Sequence, residues 1–251
     1  MAIVILIVTL LLTGLVPTIS SQIEQRQRNE TRKQIDDVRD ALFGFVLSKG
    51  RLPCPATIAS NGLESFCTNA AGACGSENYD PSTLPSHGRC YSPLVAPVYD
   101  GFVPAATLGI SPTDNQGYAM DGWSNRLRYA VTVEISTNNK SFTKPNGMQT
   151  TGMGLLDPDL HVCASATFIP ASPATTCGGA PAVSLTTNAV AVIYSIGKNT
   201  VPTGIDEAAN LNLPADPVFV SHEPSPTFDD IVTWISPNVL YNRMVTTGKL
   251  P

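Results

Sequence analysis

Charged side chains are scarce in this chain. Asp, Glu, Lys and Arg together make up 14% of its 251 residues, against 43% apolar. That balance excludes a disordered chain and departs from the usual cytosolic enzyme. The net charge is −5 and the pI near 5.1, so no basic stripe exists to neutralise phosphates, and no nucleic acid is expected on the globular part. Catalytic signatures are missing as well. His87, His161 and His222 stand alone, with no H-E-x-x-H and no G-x-S-x-G around them. Gly152-Met153-Gly154 has no third glycine and no strand-turn-helix frame, which excludes a dinucleotide loop. Cys-x-x-Cys pairs are absent, which argues against a zinc ribbon. The chain is therefore expected not to be an enzyme and to need no cofactor. There is no internal repeat.

Loop formers are plentiful, with 21 Pro and 19 Gly. Six cysteines, Cys54, Cys67, Cys74, Cys90, Cys163 and Cys177, form an even set that reads as disulfides in an oxidising compartment. Six cysteines allow fifteen pairings. Cys163 and Cys177 flank a Pro/Thr/Gly-rich stretch and are expected to pair; the partners of the other four stay open. Residues 56–120 are long, Pro/Gly-rich and, with Cys54 just ahead, hold four of the six cysteines. A stretch of that length without regular elements has to be stapled or functional.

Met1 to Val16 carries no charge and is almost all Ile, Val and Leu. As a helix it spans ~24 Å, against ~30 Å for a hydrocarbon core. Gln22 to Gly44 follows, rich in Glu, Gln, Arg and Lys. Ile35, Val38, Leu42 and Phe45 recur there at spacings of three and four, an apolar stripe suited to docking on a globular head. One helix is predicted from Met1 to about Ser48, ended by Lys49-Gly50 and Pro53. Beyond it, Leu127, Tyr129, Val131, Val133 and Ile135 alternate over a predicted strand 126–135. Further strands are predicted at 162–169, 189–196 and 231–235, and a helix at 237–247 with Pro237 in its first turn and Gly248 past its end. Trp123 and Trp234 read as core anchors. The clusters Asp114, Asn115, Asp121 and Asp157, Asp159 offer hard oxygen ligands. The first set is the calcium candidate, although its spacing matches no defined calcium loop and ordinary turn residues are the favoured reading of it.

Met1-Ala-Ile-Val-Ile-Leu-Ile-Val, Gly14 and Pro17 together resemble the N-terminal helix of type IV pilins and type II secretion pseudopilins. Gly50-Arg51-Leu52-Pro53-Cys54-Pro55, Asp121-Gly122-Trp123-Ser124-Asn125 through Tyr129, and Phe228 to Trp234 resemble segments of large pilin-like heads. Ser124 stands where that family usually has glycine. The resemblance implies an α+β fold: a long membrane-spanning and docked helix packed on an antiparallel β-sheet head. Its segments would be 1–20 for membrane and polymerisation, 21–50 for docking, and 51–251 for a disulfide-bearing head. It implies a minor pilin or pseudopilin in a pilus or secretion filament, assembled by helix packing at Gly14 and loosened at Pro17. The implied partners are other such subunits, an inner-membrane assembly platform, the lipid bilayer and a prepilin peptidase acting on a leader upstream of Met1. The implied location is the inner membrane, single-pass with a periplasmic head, or a filament. Arg26, Arg28, Arg32 and Lys33 follow the apolar run and oppose that topology by the positive-inside rule, which a basic leader would reconcile. The alternative is a membrane-anchored binding module that does not polymerise.

Overall fold

The computed structural model describes residues 2–68, 76–79, 87–91, 100–132, 141–171, 174–211 and 216–250, with residues 2–19 described as helical backbone alone. Helix α1 runs without interruption from Ala2 to Lys49, 48 residues or ~72 Å. Its solvated face is tied by Arg28 to Glu24 at 2.8 Å and Arg39 to Asp36 at 3.0 Å. From Thr31 onward the helix is gripped by the rest of the chain. Thr31, Ile35, Val38, Leu42, Phe43 and Val46 are buried, whereas Phe45 is half-buried and residues 20–23 are exposed. The buried stripe thus turns from Leu42 onto Phe43 and Val46. Gly50, at φ +70°, closes the helix by donating to the Val46 carbonyl.

Strands β3 (Asp100–Phe102), β4 (Arg128–Val131), β7 (Ala191–Ser195) and β9 (Ile231–Ile235) form a four-stranded antiparallel sheet in the order β3-β4-β7-β9. Helix α1 packs on β7 and β9, on α2 (Ala105–Leu108) and on α5 (Pro237–Thr246). A second sheet holds β6 (Ser184–Ala189), β5 (Leu160–Cys163) and β8 (Val218–Val220) in the order β6-β5-β8. There β5 pairs antiparallel with β6 and parallel with β8. Only Val190 separates β6 from β7, so one stretch of chain serves both sheets. The remaining elements are a two-residue ladder, β1 (Phe66–Cys67) with β2 (Glu77–Asn78), and the short helices α3 (Gly147–Thr151) and α4 (Ile205–Asn210).

Three devices fix the corners. Arg51 reaches Glu64 through two bonds of 2.8 and 2.7 Å, with side chains 5% and 2% exposed, and its guanidinium also lies over the rings of Phe45 and Phe66. Cys54 is bonded to Cys90, and Cys163 to Cys177. Cys67 is also disulfide-bonded, and Cys74 lies outside the described residues. Helix α5 starts at a Ser236 cap and ends in a left-handed Gly248, with Gly248 and Lys249 donating back to Val245 and Met244.

Several expectations are corrected. Among the described residues no helix is long and apolar enough to cross a membrane. The apolar run of α1, Met1 to Val16, spans only ~24 Å; polar Thr18, Ser20, Ser21 and Gln22 come after it, and charges begin at Glu24. The membrane-spanning helix therefore fails as an expectation. With it fall the lipid bilayer as partner, the single-pass inner-membrane location and the membrane-anchored binding module. The pilin or pseudopilin subunit, its filament, assembly platform and peptidase fall for the same reason, because each requires that anchor. The single antiparallel head is corrected too: the described residues form a four-stranded sheet, a three-stranded sheet and the small β1–β2 ladder, and the three-stranded sheet is mixed, because β8 enters beside β5 in parallel. The strand predicted at 162–169 starts earlier and stops at Cys163, and Val133 and Ile135 lie outside the described residues.

Candidate cation site

The residues that sequence reasoning marked for calcium do not share a site. Asp114 accepts from the amides of Gln116 and Tyr118 and from Arg126 at 2.8 Å, bracing a turn in which Asn115 is exposed. Asp121 is buried and serves a different turn. Its Oδ1 accepts from the Trp123 and Asn125 amides, and its Oδ2 from the Ser195 hydroxyl at 2.6 Å. Asp157 is exposed, and the Asp159 amide donates to Thr132 Oγ1. Gly14 and Pro17 both sit within the continuous helical backbone of α1.

The carboxylates that do converge are Glu207, Asp229 and Asp230. One oxygen from each lies within 4.8 Å of the others. Glu207 comes from the first turn of α4; Asp229 and Asp230 come from the two residues that lead into β9. Glu207 and Asp230 are 3% and 5% exposed. Glu207 is held by four donors: the Thr203 amide (2.7 Å) and hydroxyl (3.0 Å), Asn199 Nδ2 (3.1 Å) and the Asp229 amide (3.0 Å). This is close to a capping box, with the acid at N3 reaching back ahead of the helix. Asp230 accepts from Asn210 Nδ2 at 2.7 Å, and Asp229 from the Lys198 amide at 3.1 Å. Two buried oxygens, Asp229 Oδ1 and Asn199 Oδ1, have no hydrogen-bond partner among the described residues. Gly197, at φ +67°, lets the chain pass this close, since a Cβ there would stand 2.0 Å from Asp229 Oδ1.

The site is wired to α1 through a short chain of contacts. The Gly122 amide donates to Thr31 Oγ1 at 2.9 Å, and a Cβ on Gly122 would stand 2.4 Å from the Gln27 carbonyl. Asn125, in the same turn, donates to the Gly197 carbonyl at 2.7 Å. Gly197 then abuts Asp229.

No match to this chain is found among protein-family models, characterised proteins or solved structures. The site's chemistry consequently rests on its own geometry.

Three carboxylates this close, two of them buried, repel one another, and among the described residues none forms an ion pair with a lysine or arginine. Burial, aided by the charges of Glu207 and Asp229, pushes Asp230 up to about 7. Burial also raises Asp229, with Glu207 adding to it and the backbone amides of Lys198 and Asn199, and Arg28, opposing it. Burial works against the charge of Glu207 too, but its donors outweigh that and hold it below the usual carboxylate range. The cluster is thus a concentrated negative site that takes up either a proton or a cation. Three oxygens spaced evenly at ~2.4 Å around one calcium ion are about 4.2 Å apart, so a trio within 4.8 Å of one another needs at most a small contraction to hold it.

Sequence reasoning missed this cluster. The adjacent Asp229-Asp230 pair was the available signal, but Glu207 lies 22 residues away, and only the fold of α4 against β8 brings it in.

Proposed function

We propose that this protein is a non-catalytic, disulfide-braced module whose head holds a divalent cation, calcium by ligand type and span. The ion fastens the 197–207 loop and the approach to β9, on which the docked part of α1 depends. The observation that carries this reading is the convergence of Glu207, Asp229 and Asp230 within 4.8 Å, with partnerless buried oxygens on Asp229 and Asn199 beside them. Oxygen-only donors favour a hard cation over zinc or copper. Titration calorimetry of the full chain with calcium, alongside thermal unfolding with and without chelator, tests it. Calcium is expected to bind near one equivalent and raise the unfolding midpoint, and a chelator to reverse the gain. Asp229→Asn and Glu207→Gln should abolish the response. Absence of both heat and midpoint shift at millimolar calcium refutes the reading.

A further inference from the structure

Asn210 is the last residue of α4 and is 2% exposed. A buried primary amide has two donor hydrogens and an acceptor oxygen to satisfy, and here all are met. The Val220 amide donates to Asn210 Oδ1 at 2.7 Å, and Asn210 Nδ2 donates to the Val220 carbonyl at 3.0 Å. This two-point contact with one strand residue settles which end of the side chain is oxygen. The second hydrogen on Nδ2 goes to Asp230 Oδ2, at 2.7 Å. The main chain of Asn210 is held as well. Its carbonyl accepts from the Tyr194 hydroxyl at 2.9 Å, and that hydroxyl accepts from Arg128 Nε at 2.8 Å. Asn210 is therefore fixed to β8 and to β7 at once, and from there it reaches the approach to β9.

The three acids of the site are held by different means. Glu207 has four donors, and Asp229 has the Lys198 amide. Among the described residues Asp230 is held by the Asn210 side chain alone. The charges of Glu207 and Asp229 press against it, so an unpinned Asp230 would turn away from them. The hold bears on which cation fits. Calcium accepts irregular shells of oxygens at ~2.3–2.6 Å, whereas magnesium demands a near-octahedral shell at ~2.0–2.1 Å and keeps several of its waters. Three carboxylates pinned from three directions suit the first and resist the closure that the second requires. Magnesium binds instead through one or two carboxylates free to move.

We infer that Asn210 is the specificity-determining residue of the cation site: without being a ligand, it pins Asp230 in the trio and so makes the site prefer calcium to magnesium. The inference rests on the cation reading given above. It adds the ion that is refused and the side chain that refuses it. Asn210 acts through Asp230, as a positioning residue whose own fixed points are the Val220 main chain and Tyr194.

Titration calorimetry of the full chain with calcium and, separately, with magnesium tests it, with thermal unfolding run beside each variant. The wild type is expected to bind calcium more tightly than magnesium. Asn210→Ala should weaken calcium binding about 10–100-fold, the range for a lost outer-shell partner, and magnesium binding by less, so that the ratio of the two falls. Asn210→Ser, whose hydroxyl can still meet the Val220 amide but is too short for Asp230, should lower the ratio likewise and serves where the alanine variant does not fold. Arg51→Met, which weakens the fold far from the site, should lower the unfolding midpoint and leave the ratio unchanged. A wild type that binds calcium while both Asn210 variants keep its calcium-to-magnesium ratio overturns this inference and leaves the cation reading standing. So does a wild type that binds the two ions equally. A wild type that binds neither ion overturns both.

Discussion

Replacing Asp230 by asparagine should stabilise the protein, and the gain should grow with pH. The wild-type carboxyl titrates near 7 in the folded chain, because burial and the charges of Glu207 and Asp229 oppose its ionisation. Unfolded, it returns to the ordinary 3.8. The folded state therefore holds the proton more tightly. Stability is full below about pH 4, falls as pH rises from about 4 to about 7, and is level above that. Some three pK units at 1.36 kcal/mol each put the loss at about 4 kcal/mol. Asparagine cannot ionise, and its amide oxygen can still accept from Asn210. Without cations, Asp230→Asn should gain about 1–2 kcal/mol at pH 5 and about 4 kcal/mol at pH 8. For a chain of this size the larger figure raises the midpoint on the order of 10 °C. Calcium should reverse the ranking: at a hundredfold excess over Kd the wild type gains ~2.7 kcal/mol, and the variant, short of a ligand, gains little. Thermal melts of both chains at pH 5 and 8, with calcium and with chelator, measure all four values. A wild type and variant that move in parallel with pH would show that the trio carries no strained charge, and the reasoning would fail.

Other perturbations test the frame around the site. Arg51→Met leaves Glu64 charged and buried without its partner and should cost about 3–5 kcal/mol in urea unfolding; the double variant Arg51→Met, Glu64→Leu should recover most of it. Replacing both Cys163 and Cys177 by alanine opens a loop of about fifteen residues and should cost ~3 kcal/mol on the chain-entropy model, seen as a lower denaturation midpoint. Gly122→Ala forces a methyl against the Gln27 carbonyl and should loosen α1 near residues 27–31, read as faster amide exchange there than in the core.

The parts of the fold that were legible in the sequence have local causes. Helix α5 was marked by Pro237 at its start and Gly248 past its end, and both residues carry the geometry that their chemistry favours. Strand β9 was marked by a run of branched and aromatic residues, and the docked half of α1 by its period. The stripe still drifted, from Phe45 to Phe43 and Val46, because the buried surface curves around β7, β9 and α5 instead of following one helical row. Strands β3, β6 and β8 carried no readable period. Strand β6, Ser-Leu-Thr-Thr-Asn-Ala, is polar because it lies at an open edge. Strand β8, Val-Phe-Val, is three residues buried throughout, too short to show a period.

The candidate site was illegible for a related reason, and so was the error about α1. An apolar run of sixteen residues invites a membrane, yet the charges that begin at Glu24 belong to the same unbroken helix. Hydropathy alone cannot weigh a short apolar segment against the docked segment that continues it. Oxygen-bearing side chains close in sequence, such as Asp114, Asn115 and Asp121, are the ones a sequence displays as calcium candidates. Asp114 and Asp121 turned out to spend their oxygens on the amides of their own turns, which is what closely spaced acids in Gly-rich loops do first. A cluster able to take a cation needs acids whose local donors are too few for their oxygens. Asp229 and Asp230 satisfy that condition because Glu207, arriving from α4, claims the Asp229 amide and adds a third negative charge. That shortage of donors exists only once the chain has folded.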